Sequence, residues 1–193
     1  MRQGSFQDAH EFTAKWEGGL SDHPADRGGL TAYGASIAFV QGIAATSTGK
    51  NFLQAIGVGL PVTTAVMRQL RPGQVATMFR HEFWDALRLD DLPFRQAAML
   101  YDAAVNHGPA QGVKLSQRGY NRCVTHGVTL AVDGILGPMT RKALQTDTDK
   151  VVQAIIQARR DFYEGIVDSR PDQRVFLKGW LNRAGDLEKL LLA

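Results

Sequence analysis

Apolar residues recur with helical period between fixed breaks, and this pattern constrains the fold more than any other feature of the chain. Ala97, Leu100, Tyr101, Ala104 and Val105 stand at i, i+3, i+4, i+7 and i+8, with Pro93 before them and His107-Gly108-Pro109 after. This run is expected to be the central buried helix. Glycine and proline punctuate the rest of the chain in the same way. Phe6 to Trp16 reads as a first helix closed by Gly18-Gly19. Arg71-Pro72-Gly73 opens another, with proline in the first turn and an apolar stripe of Val75, Ala76, Phe79, Phe83 and Leu87. Further helices are expected from near Ala35 to Gly42, from Pro109 to about Arg122, over Met139 to Leu144 and Asp149 to Val167, and from Phe176 to Leu191 beyond Pro171. The Thr/Ser/Gly-rich stretch from Ala44 to Pro61 matches no period, and no alternation is long enough for a major sheet. The expected class is therefore mostly α, with room for one small hairpin.

Several functions are disfavoured by what the chain lacks. Its 193 residues are 44% apolar and 21% charged, enough for a buried core and unlike a disordered segment. Cys123 is the single cysteine, so no intrachain disulfide can form. His10, His23, His81, His107 and His126 are scattered, without a His-Glu-x-x-His or Cys-x-x-Cys spacing. No metal and no cofactor are expected. The net charge of +3 suits a polyanionic partner. The basic residues form no dense run, however. Arg159, Arg160 and the Lys114/Arg118/Arg122 series read as solvated helix faces, so nucleic acid is not expected. The apolar-leaning stretch Ala55 to Met67 is interrupted by Gly57, Gly59 and Pro61 and is too short to span a bilayer. Met1-Arg2 opens a polar stretch unlike a signal peptide. The expectation is a cytoplasmically made monomer without membrane insertion. Val132-Asp133-Gly134 and Gly137-Pro138 read as structural turns, since one aspartate supplies too few oxygens for calcium.

The segment that carries chemistry runs from Trp16 to Gly34. Glu17 closes an apolar helix beside Trp16, and Asp26 follows across a turn-rich loop between Gly18-Gly19 and Gly28-Gly29. Thr31 comes next, inside Gly-Gly-x-Thr-x-Tyr-Gly. Paired carboxylates of this kind suit glycoside hydrolysis. One carboxyl, partly buried against an aromatic, stays protonated and serves as acid; the other stays ionised and acts on a water or on the sugar. Glu17 has the apolar neighbourhood and Asp26 the polar one. The glycine pairs allow backbone to approach a bulky ligand.

The segment resembles the signature of glycoside hydrolase family 108, Glu-Gly-Gly…Asp-Pro-x-Asp-x-Gly-Gly-x-Thr-x-Tyr-Gly. That family comprises N-acetylmuramidases, many of them endolysins of phages or prophages. The order Glu, loop, Asp, Thr is also similar to the lysozymes of T-even phages. The resemblance implies a lysozyme-like α-helical domain with a small hairpin or glycine-rich loop lobe at the active site. It implies Glu17 as proton donor, with Asp26 and Thr31 positioning the hydrolytic water. Tyr33, His23 and Asn106 are the expected substrate contacts. Phe83-Trp84-Asp85, Leu89-Asp90-Asp91-Leu92-Pro93, Tyr101-Asp102-Ala103-Ala104-Val105-Asn106-His107-Gly108, the turn at Val132 to Thr140 and Gly179-Trp180-Leu181-Asn182-Arg183 resemble the remainder of the family's pattern. The resemblance thus covers nearly the whole chain.

The expected division is a catalytic region over 1–93 and a helical region over 94–193, similar to a predicted peptidoglycan-binding region, packed as one compact unit. Departures fall at His23, where an acid is common, at Arg27, where proline is common, and at Ala35-Ser36 in place of Ile-Thr. None touches Glu17, Asp26 or Thr31. The implied activity is hydrolysis of the β-1,4 bond between N-acetylmuramic acid and N-acetylglucosamine in bacterial peptidoglycan. The protein would act on the wall after release or export, through a holin or a secretion apparatus. Two alternatives remain open at this point: a lytic transglycosylase and a non-catalytic wall-binding or secretion-accessory protein. Water-mediated action of Asp26 calls for a carboxyl separation of about 6.5–9.5 Å and inversion at the anomeric carbon.

Overall fold

The computed structural model describes residues 5–17, 30–125 and 128–193. The chain divides into two compact units, one of Met1–Ala9 with Phe83–Ala193 and one of His10–Glu82. The first helix, α1 (Phe6–Glu17), gives its first residues to the former and the rest to the latter.

In the His10–Glu82 unit, α1 is followed by a hairpin of β1 (Thr31–Ala32) and β2 (Ala35–Ser36), then by α2 (Ile37–Ile43), α3 (Ser47–Ala55), α4 (Thr64–Arg68) and α5 (Pro72–Phe79). The strands pair antiparallel, Thr31 with Ser36 and Ala32 with Ala35. The turn residues Tyr33 and Gly34 both have positive φ, 52° and 87°, as a two-residue type I′ hairpin loop requires. Ser36 ends the hairpin and also caps α2, its Oγ accepting the Phe39 N–H at 3.1 Å. This moves the start of α2 to Ile37, two residues beyond the expected Ala35. Thr46 and Thr63 cap α3 and α4 in the same manner. The unperiodic stretch from Ala44 to Pro61 therefore holds a helix. Gln74 ties the exit of that helix to α5, donating from Nε2 to the carbonyls of Ile56 and Gly57 at 3.0 and 2.9 Å. Val40, Leu53, Met67, Val75, Met78 and Phe79 form the core of this unit.

After Phe79 the chain makes a π-helical turn over Arg80–Asp85. Its wider spacing carries the buried face from Phe79 to Trp84, which is 2% exposed, while Phe83 and Leu87 are only half-buried. The apolar stripe expected through Phe83 and Leu87 is corrected accordingly. The larger unit consists mainly of α6 (Phe94–His107), α7 (Pro109–Cys123), α8 (Pro138–Ala143), α9 (Asp149–Ser169) and α10 (Arg174–Leu192). Tyr101 and Trp84 are core residues, packed edge-on against each other and against Phe6 with ring centroids 5.6–5.7 Å apart. The Trp84 indole N–H donates to Asp90 Oδ1 at 2.8 Å.

A buried ionic cluster joins α6, α9 and α10. Asp102, 1% exposed, faces the Arg159 guanidinium at 2.6 Å and accepts from Arg183 at 2.8 Å. The two arginines hold the Asp102 carboxyl down at about 2 against the opposing pull of its burial. Arg159 also donates to the Tyr163 hydroxyl, which lies 3.2 Å from His107 Nε2. Burial, reinforced by the two guanidinium charges, pushes His107 down to about 4. Arg159 is thus no solvated residue, and Arg160 pairs with Glu188 at 2.6 Å. The turn at Val132-Asp133-Gly134 is structural. Buried Gln117 donates to Asp133 Oδ1, to the Ile135 carbonyl and to Thr140 Oγ1, and accepts the Gly134 N–H.

Candidate active site

Glu17 is the last residue of α1, and the hairpin turn lies directly on its stem. A Cβ on Gly34 would fall 2.5 Å from Glu17 Cβ and 3.1 Å from its Cγ, with the Phe79 ring 3.6 Å away. Only a glycine at a positive φ fits between these groups. The hairpin backbone at Gly34 therefore lies against the first bonds of the Glu17 side chain, with the Phe79 ring beside the turn. Phe79 is itself wedged edge-on between Phe39 and His10, with centroids 5.4 and 5.8 Å away. His10 stands two turns before Glu17 on α1, and burial lowers its pKa, so the ring is neutral at neutral pH. The Glu17 residue is half-buried, and its Oε1 is closed off from solvent.

The other expected residues are distributed as follows. Thr31 begins β1 and is half-buried; Tyr33 stands at the tip of the turn, 37% exposed. Glu17 and the hairpin bearing Thr31 and Tyr33 thus belong to one unit, with the turn seated on the acid. Asp26 and His23 lie outside the described residues. Asn106 is the penultimate residue of α6, half-buried, and belongs to the larger unit. The sequence does not mark Phe79, Phe39 or His10 as neighbours of the site. The position of His10 on the helix face of Glu17 was the available signal; nothing local pointed to Phe79 or Phe39. Among the described residues, no group of three or more His, Cys, Asp or Glu side chains is placed to hold a metal ion. No helix among them is long and apolar enough to cross a membrane.

A mostly helical unit with a short β-hairpin seated on the end of its first helix is the arrangement of a lysozyme-like fold. The chain belongs to glycosyl hydrolase family 108, whose family model matches residues 10–108. A second family, described as a predicted peptidoglycan domain, matches residues 111–185. Among solved structures, Brucella abortus SagA is similar over 99% of this chain and 95% of its own, with 25% identity and a TM-score of 0.71. No curated protein matches the chain. The protein is a glycoside hydrolase of the muramidase type acting on peptidoglycan, with the mostly α, lysozyme-like fold expected from its sequence.

Proposed function

We propose that the chain hydrolyses the β-1,4 bond between N-acetylmuramic acid and N-acetylglucosamine, with Glu17 as general acid and Asp26 and Thr31 positioning the attacking water. Catalysis is assigned to residues 1–93 and wall binding to residues 94–193, with Tyr33, His23 and Asn106 contacting the glycan. The observation that carries this reading is the seating of Glu17, because a general acid must first be held in place. Its stem is clamped beneath Gly34 and its Oε1 is closed to solvent. The roles of Asp26 and Thr31 rest on their spacing in the Glu-Gly-Gly…Gly-Gly-x-Thr-x-Tyr-Gly segment. In this mechanism Glu17 gives its proton to the leaving glycosidic oxygen. The water held by Asp26 and Thr31 adds to the anomeric carbon, and its proton passes to Asp26.

Digestion of purified sacculi followed by mass spectrometry of the fragments tests the bond and the outcome together. Reducing muramic-acid ends are expected. Anhydromuramic ends would establish a lytic transglycosylase, and binding without cleavage a wall-binding protein. Glu17→Gln keeps the shape of the side chain but cannot donate the proton, so it should slow release by roughly 10²–10⁴-fold with the fold intact. Retention of more than about a tenth of the wild-type rate would remove Glu17 from the role of acid.

A further inference from the structure

Helices α7 and α9 of the larger unit enclose an open groove of about 460 Å³, lined in part by Arg118, Arg122, Asp161, Phe162, Gly165 and Ile166. Its volume falls within the range of about 300–1,000 Å³ usual for ligand clefts. The helices can approach closely because Gly119 of α7 packs on Ile155 of α9; a Cβ there would fall 2.4 Å from Ile155 Cα. Phe162 gives the groove an apolar floor and is braced edge-on by the His107 ring at 5.1 Å.

The charges of the groove are unequal. Arg122 is paired with Asp161 at 2.6 Å, and the other Asp161 oxygen accepts from Gln157 at 2.7 Å. Arg118 lies one turn before Arg122 on the same side of α7, is exposed, and makes no ion pair among the described residues. An arginine of this kind is suited to a carboxylate, which it can hold through two parallel hydrogen bonds.

Gly165 supplies an independent observation. It sits in the interior of the α9 helix, where glycine costs stability relative to alanine. No backbone requirement accounts for it there: its φ is not positive, and a Cβ would meet nothing within 4 Å. Gly165 is exposed and lines the groove.

We propose that this groove binds the acidic peptide stem of peptidoglycan. A stem carboxylate would pair with Arg118, and the short aliphatic part of the stem would lie over Phe162 and the gap left by Gly165. The inference rests on the peptidoglycan-hydrolase reading above and adds a recognition site for the peptide rather than the sugar. All the lining residues named fall inside the segment matched to the predicted peptidoglycan domain.

The test uses the full chain carrying Glu17→Gln, so that binding is measured without digestion. Its probes are a disaccharide-tetrapeptide and the same disaccharide with the stem removed by an amidase, followed by calorimetry. Gly165→Leu fills the groove from a position where the helix accepts a side chain, and Arg118→Glu reverses its charge. Each should weaken the stem-bearing probe at least tenfold and leave binding of the stem-less probe unchanged. The melting temperature of Gly165→Leu should not fall. Stem-bearing probe bound by both variants within twofold of the parent overturns the proposal, as does equal weakening of the two probes. Loss of binding confined to the stem-bearing probe supports it. If the Glu17 chain leaves sacculi uncut and the Glu17→Gln chain fails to sediment with them, the hydrolase reading falls and the groove with it. Sedimentation and affinity for the stem-bearing probe that persist unchanged in both groove variants, while the Glu17 chain cleaves sacculi, remove the groove alone.

Discussion

Gly34→Ala should disable the enzyme by displacing Glu17, the proposed acid, without replacing it. The added Cβ would sit 2.5 Å from Glu17 Cβ, whereas non-bonded carbons rest about 3.5–4.0 Å apart. Relief requires a displacement of roughly 1–1.5 Å between the hairpin turn and the end of α1. A misplacement of about 1 Å in a catalytic group can cost on the order of 10²-fold in rate. The φ of 87° adds a backbone penalty of roughly 1–2 kcal/mol, which corresponds to a fall of about 2–8 °C in Tm for a chain of this size. Strain must be separated from displacement, and Gly134→Ala serves as the control. Gly134, which lies in the larger unit, also has a positive φ, 81°, and its Cβ would fall 2.8 Å from the Ala110 carbonyl oxygen of that same unit. Both variants should lose a similar amount of thermal stability. Only Gly34→Ala should lose turnover by about two orders of magnitude, read as the initial rate of fragment release from sacculi. Gly34→Ala with full turnover, or Gly134→Ala with the same loss of rate, would refute the argument that the hairpin sets the position of Glu17.

Two further predictions concern the buried cluster of α6, α9 and α10. Asp102→Asn leaves two guanidinium groups in the interior without their carboxylate, and breaking a buried pair costs about 3–5 kcal/mol, or roughly 6–20 °C in Tm. Asp102→Leu combined with Arg159→Met and Arg183→Met should recover most of that loss, and an unrecovered triple variant would place the cost in packing rather than charge. The second is a pH dependence. His107 titrates at about 4 when folded against 6.5 when unfolded, so the unfolded chain binds more protons and stability falls as pH drops from 6.5 towards 4. The shift amounts to roughly 3 kcal/mol in the fully acidified limit, at a pH below about 4. Denaturant unfolding of wild type and His107→Gln at pH 7 and pH 4 reads the difference; parallel losses in the two proteins would exclude His107 as the source. Asp102, low when folded at about 2 against 3.8, adds a separate loss only as pH falls below 3.8. His10, also lowered, keeps some slope in the His107→Gln variant.

The helices that can be read in the sequence are those whose boundaries are local. Pro72 opens α5 and Gly108-Pro109 separates α6 from α7, because proline lacks an N–H and glycine accepts a φ of 83° at Gly108. Helix α3 was hidden for the opposite reason. Its first turn, Ser47-Thr48-Gly49, has the composition of a loop, and the helix shows in the Thr46 hydroxyl cap on Gly49 N–H, the backbone bond from Lys50 N–H to the Thr46 carbonyl and the burial of Leu53. Phe83 is only half-buried, against the expected stripe, because a π-helical turn changes the period, and no pattern of period 3.6 can announce its own interruption. Arg159 reads as a surface charge in the sequence because its partners, Asp102 and Tyr163, include one on a distant helix. A charge on a helix surface is read as solvated until the fold brings its counter-charge.

The active site divides along the same line. The proposed acid and its hairpin are coded within one short stretch. Glu17 ends a helix, and Tyr33-Gly34 with small residues on either side is a two-residue turn, so their proximity follows from chain length and turn chemistry. What holds the acid in place is not coded there. Phe79 reaches the site from the far end of α5, and Phe39 reaches it from α2, where Ser36 both closes the hairpin and begins the helix. The motif thus names the proposed acid, while the aromatic contacts around its hairpin come from segments that carry only an apolar signal. This is why a substitution at Phe79 is expected to resemble a core mutation in stability and an active-site mutation in rate. The same ring fills the interior of the unit and bears on the backbone turn that seats Glu17.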